Sequence, residues 1–442
     1  MKVKLSIIKG AFTVLLLSLM ISGCGSDRGK GAEADGSFEP RLDTQKEVTI
    51  NVVGGYDNFP SLERVALDFN AYYPNVIINY SKVDDYENVK DMLLTDNPEV
   101  DIFMANNTYA KNSPIVREIA ADISDKALGF DISALDESVV ESARSQDGGL
   151  YRLPLYSVCS GLIVNESLLK EKGLDIPKNR QEFTDCCLKL SQEGYTPIVG
   201  YGPEGRVNFS QGLYGSLVMV RAAKQNHENQ LSVALNNGEE GAEEVYLEAL
   251  KDIEAFRSLG FYSKDANSVM EDSYEGTILR FFEGDVPFLA CSSETMSGTK
   301  KRESKSEYFA EHPFDYTFIA SPLGENGAYA YINCGEGLAL NKNGAQYDYA
   351  AEFLRFFCSV KELNASADVK GMLSTSCSTD TAECFPDLEL EDENYVAYIS
   401  DFYLEAAQSE ALNEMIRLVS DDGLSAEEAL RRYPELLQEN KK

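Results

Sequence analysis

An α/β fold, built as two units joined by extended crossings, is predicted by three features of this 442-residue sequence. Strand and helix patterns alternate from Val48 onward. The stretch "YRLPLYSVCSGLIVNESLLKEKG", Tyr151 to Gly173, stays extended to Val164, longer than the ~3–10 residues of an ordinary strand, and softens at Ser157, Cys159, Ser160 and Gly161 before a helix begins. A second extended run, "YINCGEGLALNKN" (Tyr331–Asn343), is likewise interrupted by glycine.

At the N-terminus, Lys2, Lys4 and Lys9 precede the apolar run Ala11–Ile21, which is too short for a mature membrane span of ~20 residues. It ends in "ISGC". This resembles a lipoprotein signal peptide with its lipobox, Ile21 standing where Leu is usual, and implies removal of residues 1–23 and lipidation of Cys24. Residues 24–46 are rich in Gly and charge without apolar periodicity and read as a flexible tether. No later segment is long and apolar enough to cross a membrane.

Beyond the tether, Val48–Val53 reads as a strand, and Pro60 opens a helix with Leu62, Val65, Ala66 and Phe69 on one face. Asn75–Tyr80 is a second strand, residues 86–96 a second helix and Val100–Ala105 a third strand. Such an alternation predicts a parallel sheet whose ligands bind beyond the carboxyl ends of its strands, where Tyr56, Asp57, Asn106 and Asn107 stand. Asn165 is placed to cap a helix that Gly173 stops, and Asn179–Glu182 has capping-box spacing for a helix that Gly194 ends. Its face is Phe183, Cys186, Cys187 and Leu190. The next strand, "YTPIVGYG", leaves Tyr201 just past its end. A long helical region spans Glu239–Leu259, a helix starts near Ser273, and a strand covers Val286–Ala290 with Glu294 shortly after it. A helix over Tyr347–Phe357 presents Tyr349, Phe353, Phe356 and Phe357.

Composition narrows the functions. With 73 acidic and 40 basic residues the formal charge is -33, which argues against nucleic acid as a partner. The cysteines show no zinc-site spacing; Cys377 and Cys384 are close enough in a loop-like stretch to pair, with nothing in the sequence to decide it. Asp387–Asn394 is acidic but lacks the glycine of an EF-hand loop, so a solvated loop is expected and no metal or other cofactor. Nucleophile-elbow and HExxH motifs are absent.

The stretch "DGGLYRLPLYSVCSGLIVNESLLKEKGLDIPKNRQEFTDCCLKLSQEGYTPI", with "FFEGDVPFLACSSE" and "GEGLALNKNGAQYDYAAEFLRFF" in order behind it, resembles the family 1 extracellular solute-binding proteins of ABC importers, over most of Val48 to about Ser376. The resemblance implies a two-lobe fold of the periplasmic-binding-protein type II kind with a hinge between the lobes. It implies a first lobe over 47–156 and 334–375, a second over 157–333 and 376–442, and hinges at Tyr156–Gly161 and Asn333–Gly337. It also implies a monomer, anchored by lipid on the extracytoplasmic side of the membrane, that hands a small polar solute, usually a mono- or oligosaccharide, to permease subunits. The family often carries Trp after the strand matching Val286–Ala290; this chain has no Trp, and Glu294 stands near that place. Tyr56, Tyr156 and Tyr201 are therefore the stacking candidates, and Asp57, Asn106, Asn107, Glu294 and Glu336 the hydrogen-bonding ones. Two other readings stay open: a sensor or non-sugar binder on the same fold, and a secreted glycoside hydrolase using two of the many carboxylates.

Overall fold

Two β-sheets organise the chain, each with its own buried core. The computed structural model describes residues 38–83, 93, 98–105, 114–145, 147–200, 209–227, 230–262, 273–378, 396–398, 402 and 404–440. Cys24, Asn106, Asn107, Tyr201, Cys384, the helix expected over 86–96 and the acidic run 387–394 lie outside the described residues.

The first sheet begins with β1 (Val48–Gly54), β2 (Val76–Lys82), β3 (Ile102–Ala105) and β4 (Leu153–Pro154). β1 pairs in parallel with β2, Val48 facing Val76 through Gly54 facing Lys82, and in parallel with β3 on its other side. Pro60 stands at the first turn of the helix Pro60–Phe69, where its missing N–H costs nothing. That helix buries Leu62, Val65 and Phe69 beside Phe353 and Phe357 of the helix Tyr347–Phe357.

The second sheet is arranged around β5 (Tyr156–Asn165), with β6 (Ile198–Gly200), β7 (Phe288–Ser292), β8 (Tyr316–Ala320) and β9 (Tyr329–Cys334). The chain then returns to the first sheet as β10 (Gly337–Leu340), antiparallel to β3 and β4, giving the order β2-β1-β3-β10-β4. β11 (Leu373–Ser374) pairs with the start of β5, and β12 (Val396–Tyr398) with β9. The C-terminal helices Ala406–Ser420 and Tyr433–Asn440 complete the second core through Met415, Ile416, Val419 and Tyr433.

Local signals set the helix ends. The Asn165 side chain accepts from the Leu168 N–H, Asn179 from Glu182 and Ser273 from Gly276; Gly173 and Gly194 take left-handed φ values of 62° and 90°. Elsewhere tertiary packing overrides the pattern. The helix expected over Glu239–Leu259 is a 3₁₀ turn, Ala242–Tyr246, followed by a helix Leu247–Arg257. The strand expected at Val286–Ala290 sits two residues later, at Phe288–Ser292, in register with β5. The softened stretch Tyr156–Gly161 is not a break: it lies inside β5, paired with β9 and β11, with β7 from Ser160 and with β8 from Gly161. Gly161 is small because a Cβ there would stand 2.1 Å from the Ile319 carbonyl oxygen of β8.

The expected tether also ends early. Phe38 packs edge-on against Phe356 at 5.1 Å and Tyr72 at 5.2 Å, beneath the Arg355 guanidinium. Glu352, buried in this core, accepts from the Arg41 N–H at 2.9 Å, the Tyr73 hydroxyl at 2.7 Å and Arg355. Burial pushes its carboxyl pKa up, but these donors outweigh it and hold the group below its ordinary value.

Two predictions follow from this packing. Gly161→Ala forces β5 and β8 apart and is expected to destabilise the chain by roughly 2–4 kcal/mol in urea denaturation; a value near zero would mean that the site yields as a flexible joint does. The second concerns Glu362, buried on the helix Val360–Lys370, whose Oε1 is met by the ammonium of Lys361 at 3.2 Å. Burial and the neighbouring Asp68 raise its pKa to about 7, with Lys361 and Arg64 opposing. The native state therefore holds this proton more tightly than the unfolded chain, and stability falls as pH rises from about 4.5 to 7. Glu362→Gln is expected to raise Tm at pH 8 by roughly 2–4 °C, with the gain gone near pH 4.5; an equal shift at both pH values refutes the assignment.

Candidate functional site

The candidate site lies where the chain passes between the sheets. It leaves the first between Pro154 and Tyr156 and returns between Cys334 and Gly337. The two crossings are joined backbone to backbone: the Leu155 N–H donates to the Glu336 carbonyl at 3.1 Å, and the Gly335 N–H to the Tyr156 carbonyl at 2.8 Å. Beside them Arg152, fully buried, donates through Nη1 to the Gly335 carbonyl at 2.7 Å and the Ala105 carbonyl at 3.3 Å, and through Nη2 to Cys334 Sγ at 3.0 Å.

Glu336 stands on the return crossing. Its Oε2 is buried and has no hydrogen-bond donor among the described residues. Burial, and the charge of Glu294, raise its pKa, while Arg152 and Lys370 pull it down. Glu294 comes from the other side, as the first residue of the helix Glu294–Lys300 that follows β7. The end of β7 is pinned to β5, with the Ser293 N–H donating to the Cys159 carbonyl at 2.7 Å and the Cys159 N–H to Ser293 Oγ at 3.1 Å. Glu294 is open to solvent, yet desolvation by the surrounding protein raises its pKa against the pull of Lys370.

Tyr56 follows the carboxyl end of β1. Tyr80 of β2 holds it at both backbone groups: the Tyr56 N–H donates to the Tyr80 hydroxyl at 2.9 Å, and that hydroxyl donates to the Tyr56 carbonyl at 3.0 Å. Over its ring, 3.4 Å from the centroid, stands Lys370 Nζ, at the end of the helix Val360–Lys370. Burial and Lys301 lower the Lys370 pKa to about 8, with Glu294 and Glu336 opposing. Tyr56, Lys370, Glu294 and Glu336 thus form one electrostatic cluster, drawn from the first sheet, the second sheet and the crossing.

Asp57 and Tyr156 are engaged elsewhere. Asp57 is exposed and ion-paired to Lys82 at 2.8 Å, which lowers its pKa. Tyr156, expected to stack on a solute at the cleft floor, is instead fully buried in the first core; its hydroxyl meets Ser61 Oγ at 2.6 Å and Ser366 Oγ at 3.0 Å, and burial pushes its pKa up to about 12. Its position at the start of β5 turns the ring away from the crossing and into that core. Arg152 and Lys370 were not singled out in the sequence. Arg152 reads there as the outward residue of an alternating strand, and Lys370 as a cation complementing a helix C-terminus.

Among solved structures, a family 1 extracellular solute-binding protein from Bifidobacterium longum subsp. infantis is 17% identical, with a TM-score of 0.63 over 89% of this chain and 99% of that one. The solute-binding protein RafE in complex with raffinose is 14% identical, with a TM-score of 0.63 over 89% of this chain and 100% of its own. The GacH receptor of Streptomyces glaucescens, solved unliganded and with acarbose, is 14% identical, with a TM-score of 0.62 over 90% of this chain and 99% of that one. These likenesses identify the fold as that of the periplasmic-binding-protein-like solute-binding proteins. No curated protein sequence matches the chain. The sequence pattern of one family does, over residues 56–362, and this chain belongs to it: the bacterial extracellular solute-binding proteins.

Proposed function

We propose that this chain captures a small polar solute, a mono- or oligosaccharide, in the cleft where Tyr56, Glu294, Glu336 and Lys370 meet, and delivers it to the permease subunits of an ABC importer while anchored to the membrane by lipid on Cys24. The observation that carries this reading is the buried Glu336 Oε2, which has no donor among the described residues. A buried acceptor left open is costly unless a bound molecule supplies the missing hydrogen bond, and sugar hydroxyls are donors of that kind. Tyr56 offers an aromatic surface in a chain without Trp, and Glu294 a second acceptor from the opposite side. Asp57, Asn106, Asn107 and Tyr201 complete the proposed contact set. Raffinose and acarbose in the neighbouring structures support a saccharide.

A solute held by Tyr56 on one side and Glu294 on the other favours the arrangement that brings both into reach, so it shifts the population toward a closed form. The joint of that motion is the pair of crossings at Leu155–Tyr156 and Gly335–Glu336. The work of the protein is capture and release; no step of bond-breaking is proposed.

Titration calorimetry with raffinose, maltose and acarbose tests the reading, with X-ray scattering to follow closure. Glu336→Ala is expected to weaken saccharide binding at least tenfold with little change in folding stability. Tyr156→Phe is expected to do the reverse, costing about 1 kcal/mol of stability in urea through the lost Ser61 and Ser366 bonds and leaving affinity intact. If Glu336→Ala binds as the wild type does, the cleft is misassigned. Cys24→Ser is expected to release the protein from membranes, and an unmodified Cys24 in intact-mass analysis would remove the anchor.

A further inference from the structure

The aromatic surface that a solute needs is already in use. Lys370 Nζ stands 3.4 Å from the Tyr56 ring centroid, and Phe59 packs T-shaped against the same ring at 5.2 Å. Among the described residues the Lys370 ammonium makes no ion pair with a carboxylate; Glu294 and Glu336 act on it through charge from farther away. The ring is therefore its direct partner, by a cation–π contact. Its backbone, by contrast, is fixed. Lys370 ends its helix at Gly371, which has φ 68°, and its carbonyl accepts from Ser297 Oγ at 2.5 Å. The side chain can thus leave the ring by rotation about its own four-carbon stem, with no movement of the helix.

We propose that the Lys370 ammonium is a built-in occupant of the Tyr56 ring face, which a ring-shaped solute must displace before it can stack there. This rests on the reading of the cleft as the solute site. The displaced ammonium stays in favourable surroundings, because Glu294 and Glu336 both attract it. The occupant is also sensitive to pH. The groups facing it are Glu294 and Lys301, at the two ends of the helix Glu294–Lys300, Glu336 on the crossing, and the Tyr56 phenol. Burial and Lys301 bring its own pKa to about 8, so it loses its charge, and with it its hold on the ring, just above neutral pH. Solute binding should then tighten as pH rises through that value.

Two measurements decide the matter. Reductive ¹³C-methylation of the lysines of the solute-free protein is expected to give one resonance, assigned by its loss in Lys370→Met, that is displaced by the ring current of Tyr56 and titrates near pH 8. The displacement disappears in Tyr56→Leu; an undisplaced Lys370 signal overturns the occupancy. Calorimetry with raffinose, maltose and acarbose then tests displacement. Lys370→Met is expected to bind roughly 3- to 30-fold more tightly than the wild type at pH 7, and the wild type to gain a similar factor between pH 7 and pH 9. Lys370→Arg keeps its charge throughout and is expected to bind no more tightly than the wild type at pH 7 and to gain nothing by pH 9. If a saccharide binds but Lys370→Met is weaker or unchanged, Lys370 is a contact or a bystander and the proposal fails while the saccharide reading stands. If no saccharide binds either protein, the saccharide reading fails, and the lysine resonance alone decides whether Lys370 occupies the ring.

Discussion

Everything at the candidate site depends on a guanidinium placed where water does not reach. The Arg152 guanidinium carries five N–H donors and no acceptor, so burial obliges the chain to bring acceptors to it. It finds them in the Ala105 carbonyl at the end of β3 and in the Gly335 carbonyl and Cys334 thiol at the end of β9. Those bonds draw the return crossing against the outgoing one, where Leu155 and Tyr156 bond to Glu336 and Gly335. The "CGEG" sequence follows from that closeness. A Cβ at Gly337 would stand 2.6 Å from the Leu153 carbonyl and 3.0 Å from Arg152 Nη1, and one at Gly335 would stand 3.0 Å from Val158. Between the two glycines the single residue with a side chain is Glu336, which the geometry leaves with one oxygen unmet.

Local charge at the candidate site bears little relation to charge overall. The chain carries a formal charge of -33, yet Glu294 and Glu336 are set against Lys370 and the buried Arg152. Lys370 acts on both acids, and Arg152 on Glu336 as well. Acid excess elsewhere is a property of solvated surface, where water screens it. At the candidate site, desolvation makes every one of these charges count for more.

Much of the fold was legible because its signals are local. Pro60, Asn165, Asn179 and Ser273 start helices for reasons contained within four residues, and the apolar periods of Phe183–Leu190 and Tyr349–Phe357 become buried faces. Tyr56, Glu294 and Glu336 could be found from where strands end and where the chain crosses, which needs topology but no side-chain detail. Arg152 and Lys370 could not: their meaning comes from Ala105, Cys334 and Tyr56, residues tens to hundreds of positions away. Tyr156 and Gly161 misled for a related reason. A small or aromatic residue near a crossing looks the same in sequence whether it bends, binds or packs, and here both pack, one against Ser61 and Ser366 and the other against β8.

The docking of Phe38–Lys46 has a mechanical consequence. Arg41 bonds to Tyr73, Glu352 and the Leu128 carbonyl, the Glu39 carbonyl accepts from Arg355, and the Asp43 carbonyl accepts from Tyr349. Any pull on the chain upstream of Phe38 is therefore borne by the first sheet and its helices, as shear spread over several bonds, before it reaches β1. It reaches the second sheet through the paired crossings, through β11 on the start of β5, and through the Ser297–Lys370 hydrogen bond. Whatever holds the N-terminus therefore loads the first sheet and its helices first, and the second sheet only after them.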